Sequence, residues 1–212
     1  MFFKLEYIVK NFTKNCDPKR VVFINGKRLY LRPPCESDLP NFVRWFNDPE
    51  VWIFLNRIYP MTEISEKKWL EKLAERMNDI VLVIVLKGRT PKQDRPIGTI
   101  GIHGIERESR TATTGAVIGE KDFWGKGYGT EAKMVLLEYT FNTLNLRKIY
   151  SRVLAINPRS RAYSEKCGYV LEATLPKAHF REGCYVDEYI LAVYADAWRA
   201  LWEKTKRRYL PK

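Results

Sequence analysis

FWGKGYGTEA, residues 123–132, alternates three glycines with Lys126 and Tyr128, just ahead of a stretch that reads as a helix, TEAKMVLLE (130–138). TTGAVIGEKD (113–122) before it reads as a strand and its exit. Glycine turns with positive φ and lets backbone N–H groups approach a ligand with no Cβ in the way. The free N–H groups of a helix's first turn then face that ligand, with the positive end of the helix dipole behind them. Strand, glycine loop and helix together predict an anion site suited to a pyrophosphate, with Lys126 as a solvated cation. The spacing matches neither G-x-x-x-x-G-K-[ST] nor G-x-G-x-x-G. A tight turn with no ligand would satisfy it equally.

Outward from the loop, the chain of 212 residues can build one sizeable core. KRLYLRP (27–33) reads as a strand, with Leu29 and Leu31 on one face. ESDLPNFVRWFND (36–48) reads as an amphipathic helix capped by Ser37, with Leu39, Phe42, Val43 and Phe46 as its stripe. A second helix is expected over 62–77, with Ile64, Trp69, Leu70 and Leu73 apolar. Strands are expected next at 79–87, 96–106 and 111–120, then the glycine loop, a helix over 126–144 and a strand at 148–156. A short helix stops at Gly168, a natural αL end. YVLEATL (169–175) and YVDEYILAVYA (185–195) are the last strands, and 196–208 a closing helix. FKLEYIV (3–9) reads as a further short strand. The order predicts an α+β domain.

No apolar run approaches the ~20 residues that span a bilayer, and the N-terminus lacks the features of a signal peptide. A cytoplasmic protein is expected. Cys16, Cys35, Cys167 and Cys184 are scattered, with His103 and His179 the only histidines. That pattern predicts no metal site and four unpaired thiols. The net charge of +12 favours anionic partners. The lysines and arginines are dispersed and not interleaved with aromatics as in nucleic-acid readers, so nucleic acid ranks last.

Three segments in order carry a resemblance. RLYLRPPCESDLPNFVRWFNDPEVW (28–52), WGKGYGTEA (124–132) and NPRSRAYSEKCGYVLEA (157–173) are similar to the GCN5-related N-acetyltransferases, the GNAT family, and to its RimJ/RimL-like branch. The resemblance covers roughly 27–195, leaving 1–26 as an extension of unknown role and 196–212 as a helix and basic tail. It implies a GNAT-like mixed, mostly antiparallel twisted sheet with helices on both faces. It also implies a V-shaped splay between two central parallel strands, here 111–120 and 148–156.

The same resemblance implies acetyl-CoA as co-substrate and direct acetyl transfer to a primary amine in a ternary complex. Ala116, Val117 and Ile118 would pair with the pantetheine arm as an added strand does. Trp124, Gly125, Lys126, Gly127, Tyr128, Gly129 and Thr130 would hold the pyrophosphate. Asn157 would bond the pantetheine, or cap a helix ahead of Pro158, or both.

The chain departs from the family in two places. Relatives carry a tyrosine, as proton donor to the thiolate, where this chain has Ser164; Tyr163 stands one residue earlier, rotated by ~100° on a helix. Ser164, or Ser160, is the expected donor. Thr113 stands where relatives carry a glutamate, so the base comes from His103, Glu63, Asp187 or water, with His103 first. Trp45, Trp52, Phe54 and Tyr59 could wall the acceptor site or pack the core.

The acceptor would be a protein N-terminus or a small amine. The basic balance argues against free polyamines and for acidic substrates or proteins on ribosomes. A homodimer is compatible with this reading, and no membrane partner is expected. The alternative is a non-catalytic acyl-CoA-binding sensor.

Overall fold

The computed structural model describes residues 21–55 and 59–211. The strand expected over 3–9, and most of the N-terminal extension, lie outside them. One eight-stranded sheet has the order β1-β2-β3-β4-β5-β6-β8-β7. Its strands are β1 (Ile24–Asn25), β2 (Leu29–Arg32), β3 (Ile80–Leu86), β4 (Arg95–Glu106), β5 (Thr111–Ile118), β6 (Lys148–Leu154), β7 (Val170–Arg181) and β8 (Cys184–Tyr194). Every neighbouring pair is antiparallel except β5 and β6. The α+β architecture and mixed sheet match the expectation.

Helices cover both faces, and strand alternation decides what each face holds. Leu29, Leu31, Leu82 and Ile84 enter the larger core, with the central helix α4 (Tyr128–Asn142) and the C-terminal helix α6 (Ala195–Thr205). Tyr30, Val83 and Val85 face the other way, under α1 (Leu39–Asn47) and α3 (Glu63–Leu73), with the short α2 (Pro49–Trp52) between them in the chain. β2 is therefore buried on both faces. Its outlier, Arg32, is matched there by Asp38 through two bonds of 2.7 Å. α4 is buried on nearly all sides, from Glu131 to Phe141, which explains its lack of a single apolar stripe.

Several local expectations need correction. Trp198 and Trp202 sit in the larger core, and β1 pairs with β2. Ser37 caps no helix; it lies in a 3₁₀ turn, Glu36–Asp38, ahead of α1. In α3, Ile64 is exposed, and Glu66 is buried with Leu70 one turn on. The last two strands run on into one long hairpin, β7–β8. Its turn, Glu182–Gly183, has both residues at positive φ, the conformation of a type I′ hairpin turn. Cys35 is disulfide-bonded, against the expectation of four unpaired thiols; Cys167 and Cys184 are free. No helix among the described residues is long and apolar enough to cross a membrane.

Candidate active site

The glycine loop forms one end of a cleft. Gly125 and Gly127 adopt φ of +72° and +80°, where an L side chain is strained. Gly127 is the N-cap of α4, and no side chain caps that end. The first helical bond runs from Glu131 N to Gly127 O. The N–H groups of Tyr128, Gly129 and Thr130 therefore have no acceptor within the helix. These residues, with Gly125, Gly127 and Trp124, line a cleft of about 320 Å³. Lys126 does not line it; its ammonium stands over the Phe123 ring at 5.8 Å.

Two contacts fix the loop. Arg28 donates from its backbone N and its Nε to the Glu131 carboxylate, each at 2.7 Å, and from Nη1 to Lys126 O at 3.0 Å. Its guanidinium also stands over the Tyr128 ring at 4.3 Å. On the other side Trp124 Nε1 donates to Ile118 O at 2.6 Å, tying the loop to the end of β5. Arg159 stacks on Trp124 at 4.1 Å and lines the cleft as a cation.

Beside the loop the sheet opens. β5 and β6 pair only at Thr111↔Lys148, Ala112↔Ile149 and Thr113↔Tyr150. Their outer neighbours stay engaged further, β4 to Gly98↔Ile118 and β8 to Leu154↔Glu188. The inner edges beyond Thr113 and Tyr150 are thus unpaired with each other, the expected V. Hydroxyls occupy its apex. Thr114 Oγ1 donates to Tyr150 O at 3.2 Å and lies 2.8 Å from Tyr169 Oη. At the far end of β5, Glu120 accepts from Arg44, from Arg95 at 2.7 Å and from Trp45 Nε1 at 2.8 Å. Burial pushes this carboxyl up, but the three donors outweigh it and hold it below the usual carboxylate range.

A second cavity of about 330 Å³ lies across the V. Phe54, Leu55, Ala116, Val117, Asn157, Ser160 and Tyr163 line both cavities and mark where they meet. Ile118 lines only the first. Asn157 is the N-cap of α5 (Pro158–Lys166), accepting from Ser160 N at 3.0 Å. Ser164 is fully buried, lines neither cavity, and instead accepts from Lys133 Nζ at 3.4 Å. α5 thus turns Tyr163 toward the cavities, while Ser164, the expected donor, faces the core.

His103 lines the second cavity. Its imidazole folds back over two glycines. A Cβ at Gly101 would stand 2.7 Å from Nε2, and one at Gly115 3.8 Å. Nδ1 lies 3.9 Å from Asp79 Oδ1. The His103 side chain is 46% exposed; partial burial holds it below the ordinary histidine range, with Arg76 adding to this and Asp79 opposing it. Asp187 and Glu63 line neither cavity; Asp187 accepts from Lys177 N at 2.8 Å.

The rest of the second cavity includes Phe42, Phe46, Trp69 and Glu66. Of the four aromatics read as acceptor-site wall or core packing, Phe54 lines the second cavity and Trp45 belongs to the smaller core. Trp45 is buried against Glu120, Tyr59 is exposed, and Trp52 lines neither cavity. Glu66 escaped the sequence reading because it interrupts an apolar stripe, and that interruption was the available signal.

Comparison with known proteins matches residues 28–170 to the model of the acetyltransferase (GNAT) domain. An uncharacterized N-acetyltransferase, p20, of Bacillus licheniformis is 29% identical over 174 residues, 79% of this chain and 93% of that protein. The spermidine N(1)-acetyltransferase of Vibrio cholerae is 34% identical over 95 residues, 45% of this chain and 54% of that protein. A crystal structure of spermidine N-acetyltransferase from Vibrio cholerae with CoA and spermine superposes with a TM-score of 0.75 at 23% identity, covering 81% of this chain and 98% of that one. A GNAT-family acetyltransferase from Bacillus anthracis gives 0.70 at 23% identity, over 82% and 99%.

Proposed function

The chain belongs to the GNAT acetyltransferase family, and from that premise we propose that it moves the acetyl group of acetyl-CoA to a primary amine whose body is largely apolar. The carrying observation is the meeting of two cavities at the splay of β5 and β6, with Asn157, Ser160 and Tyr163 on the walls of both. The donor would occupy the cleft beside the glycine loop and the acceptor the cavity across the V.

The donor side fits the co-substrate. Open N–H groups at the start of α4 and the nearby Arg159 suit a diphosphate. The free edge of β5 at Ala116–Ile118 suits an amide-bearing arm. Asn157 spends its Oδ1 on the helix cap and keeps its amide N–H₂ for that arm.

In the reaction the amine nitrogen bonds to the thioester carbonyl carbon and the carbon–sulfur bond breaks. The neutral His103 takes the proton from the amine. Backbone N–H groups of the β5 edge polarise the carbonyl. Tyr163 gives its proton to the departing sulfur, and solvent later restores it.

Phe42, Phe46, Phe54 and Trp69 supply flat apolar walls, and Glu66 one carboxylate. That set suits an amine on an apolar body, such as a protein N-terminus of the kind the RimJ/RimL-like resemblance implies. A polyamine is the second reading, favoured by the Vibrio cholerae relative and by Glu66. Acetyl-CoA, the protein and a panel of amines, read by mass, test both. The panel holds peptides with apolar first residues, peptides with acidic first residues, and spermidine. Acetylation of the apolar peptides is expected. Preference for spermidine would replace the first reading, and acetyl-CoA binding with no product from any amine would point to a sensor.

A further inference from the structure

Lys133 is fully buried in α4, and no carboxylate pairs with it among the described residues. Its Nζ reaches Ser151 Oγ and Ser164 Oγ, each at 3.4 Å. It also stands 4.5 Å from the centre of the Tyr163 ring and 4.6 Å from that of Tyr169. A buried ammonium without a counter-ion is costly, and an apolar side chain of the same length would occupy the place at less cost. Burial works against its charge and also keeps Cys167 and Tyr169 protonated, so what favours the ammonium is the two ring faces and the two serine hydroxyls. Of the two rings it faces, Tyr169 is fully enclosed and held by Thr114, whereas Tyr163 lies where the cavities meet.

We propose that Lys133 is a positioning residue for acetyl transfer: its ammonium fixes the Tyr163 ring at the junction of the cavities and stabilises the phenolate left after proton transfer to the sulfur. This rests on the assignment of Tyr163 made above. In that step the O–H bond of Tyr163 breaks and an S–H bond forms. The electron pair stays on the phenolate oxygen, facing the Lys133 charge across the ring, until solvent returns the proton. A cation beneath an aromatic face attracts it electrostatically, and the enclosed site strengthens that attraction.

The test is a double-mutant cycle with Lys133→Met, Tyr163→Phe and the pair, using the best acceptor from the amine panel. Lys133→Met is expected to lower kcat about tenfold or more with the KM for acetyl-CoA unchanged, and to cost nothing further once Tyr163→Phe is present. Lys133→Arg should restore part of the rate. In the ligand-free protein, aromatic NMR should show the Tyr163 ring flipping faster in Lys133→Met, the signal being identified by its loss in Tyr163→Phe. Should Lys133→Met fail to fold, Lys133→Gln takes its place. Full kcat in the Lys133 variant, equal losses in both backgrounds, or an unchanged flip rate would overturn the proposal. Wild-type kcat in Tyr163→Phe would instead remove the Tyr163 assignment.

Discussion

Tyr163 and Ser164 are neighbours in the chain, yet Tyr163 lines both cavities while Ser164 is fully buried beside Lys133. A helix turns each residue by ~100° from the last, so only one of the two can face the ligands. Tyr163→Phe is therefore expected to slow turnover by roughly a hundred- to ten-thousandfold, as loss of an acid does. Ser164→Ala should leave the rate within about threefold, since it removes one long bond to Lys133. Steady-state kinetics on both variants decide it; a slow Ser164→Ala with a normal Tyr163→Phe would reverse the assignment.

His103 supplies a pH signature. Its folded-state pKa is lowered by burial, so the neutral ring that accepts a proton persists to lower pH than in a free histidine. The acidic limb of kcat/KM should therefore fall below the ordinary histidine value of about 6.5. His103→Gln should remove that limb and lower kcat/KM by about a hundredfold or more. A limb unchanged in His103→Gln would assign the base elsewhere.

The glycine loop can be tested at two positions with different physics. A side chain at Gly129 meets only ordinary contacts, with Ile118 at 3.9 Å and Tyr163 at 4.0 Å. Gly129→Glu should thus keep the fold and place a carboxylate in the cleft, weakening acetyl-CoA by at least about tenfold in calorimetry. Gly127→Ala, at φ +80°, should instead cost about 1–2 kcal/mol of stability. Unchanged affinity in Gly129→Glu would take the diphosphate away from this loop.

Arg28 is half-exposed while the Glu131 carboxylate it binds is almost wholly enclosed, with side-chain exposures of 45% and 1%. Arg28→Met would leave that carboxylate with only the backbone N–H of residue 28 and would free the loop carbonyl at Lys126. A loss of about 1–3 kcal/mol is expected in denaturant unfolding, after allowance for solvent at the arginine. Adding Glu131→Gln should recover part of it, which simple loss of side-chain volume would not allow.

Cys167 and Cys184 should react very differently. Burial pushes the Cys167 thiol up to about 12, and the side chain has no exposure, whereas Cys184 is exposed at the β7–β8 turn. Iodoacetamide with peptide mapping should label Cys184 within minutes and Cys167 only after denaturation. Fast labelling of Cys167 in the native protein would mean that α5 opens readily.

Much was legible in the chain because it is set by neighbours in sequence. The glycines at 125 and 127, the helix start behind them and the Asn157–Pro158 cap are local backbone chemistry, and they stand where the spacing put them. Strand alternation in IVLVIVL (80–86) likewise sorted its side chains between two cores. The parallel pair that opens into the V came from the order of elements and from the resemblance. What only tertiary structure decided was rotation and burial. PRSRAYSEK (158–166) has no apolar stripe to show which face of α5 meets the core, so the sequence could not show that Tyr163, and not Ser164, faces the cavities. Glu66 and Lys133 are charged residues on helices, and only the elements packed around them bury them. A residue's neighbours along the chain fix its backbone, but what covers its side chain is fixed by elements far away, 103 residues apart for Arg28 and Glu131.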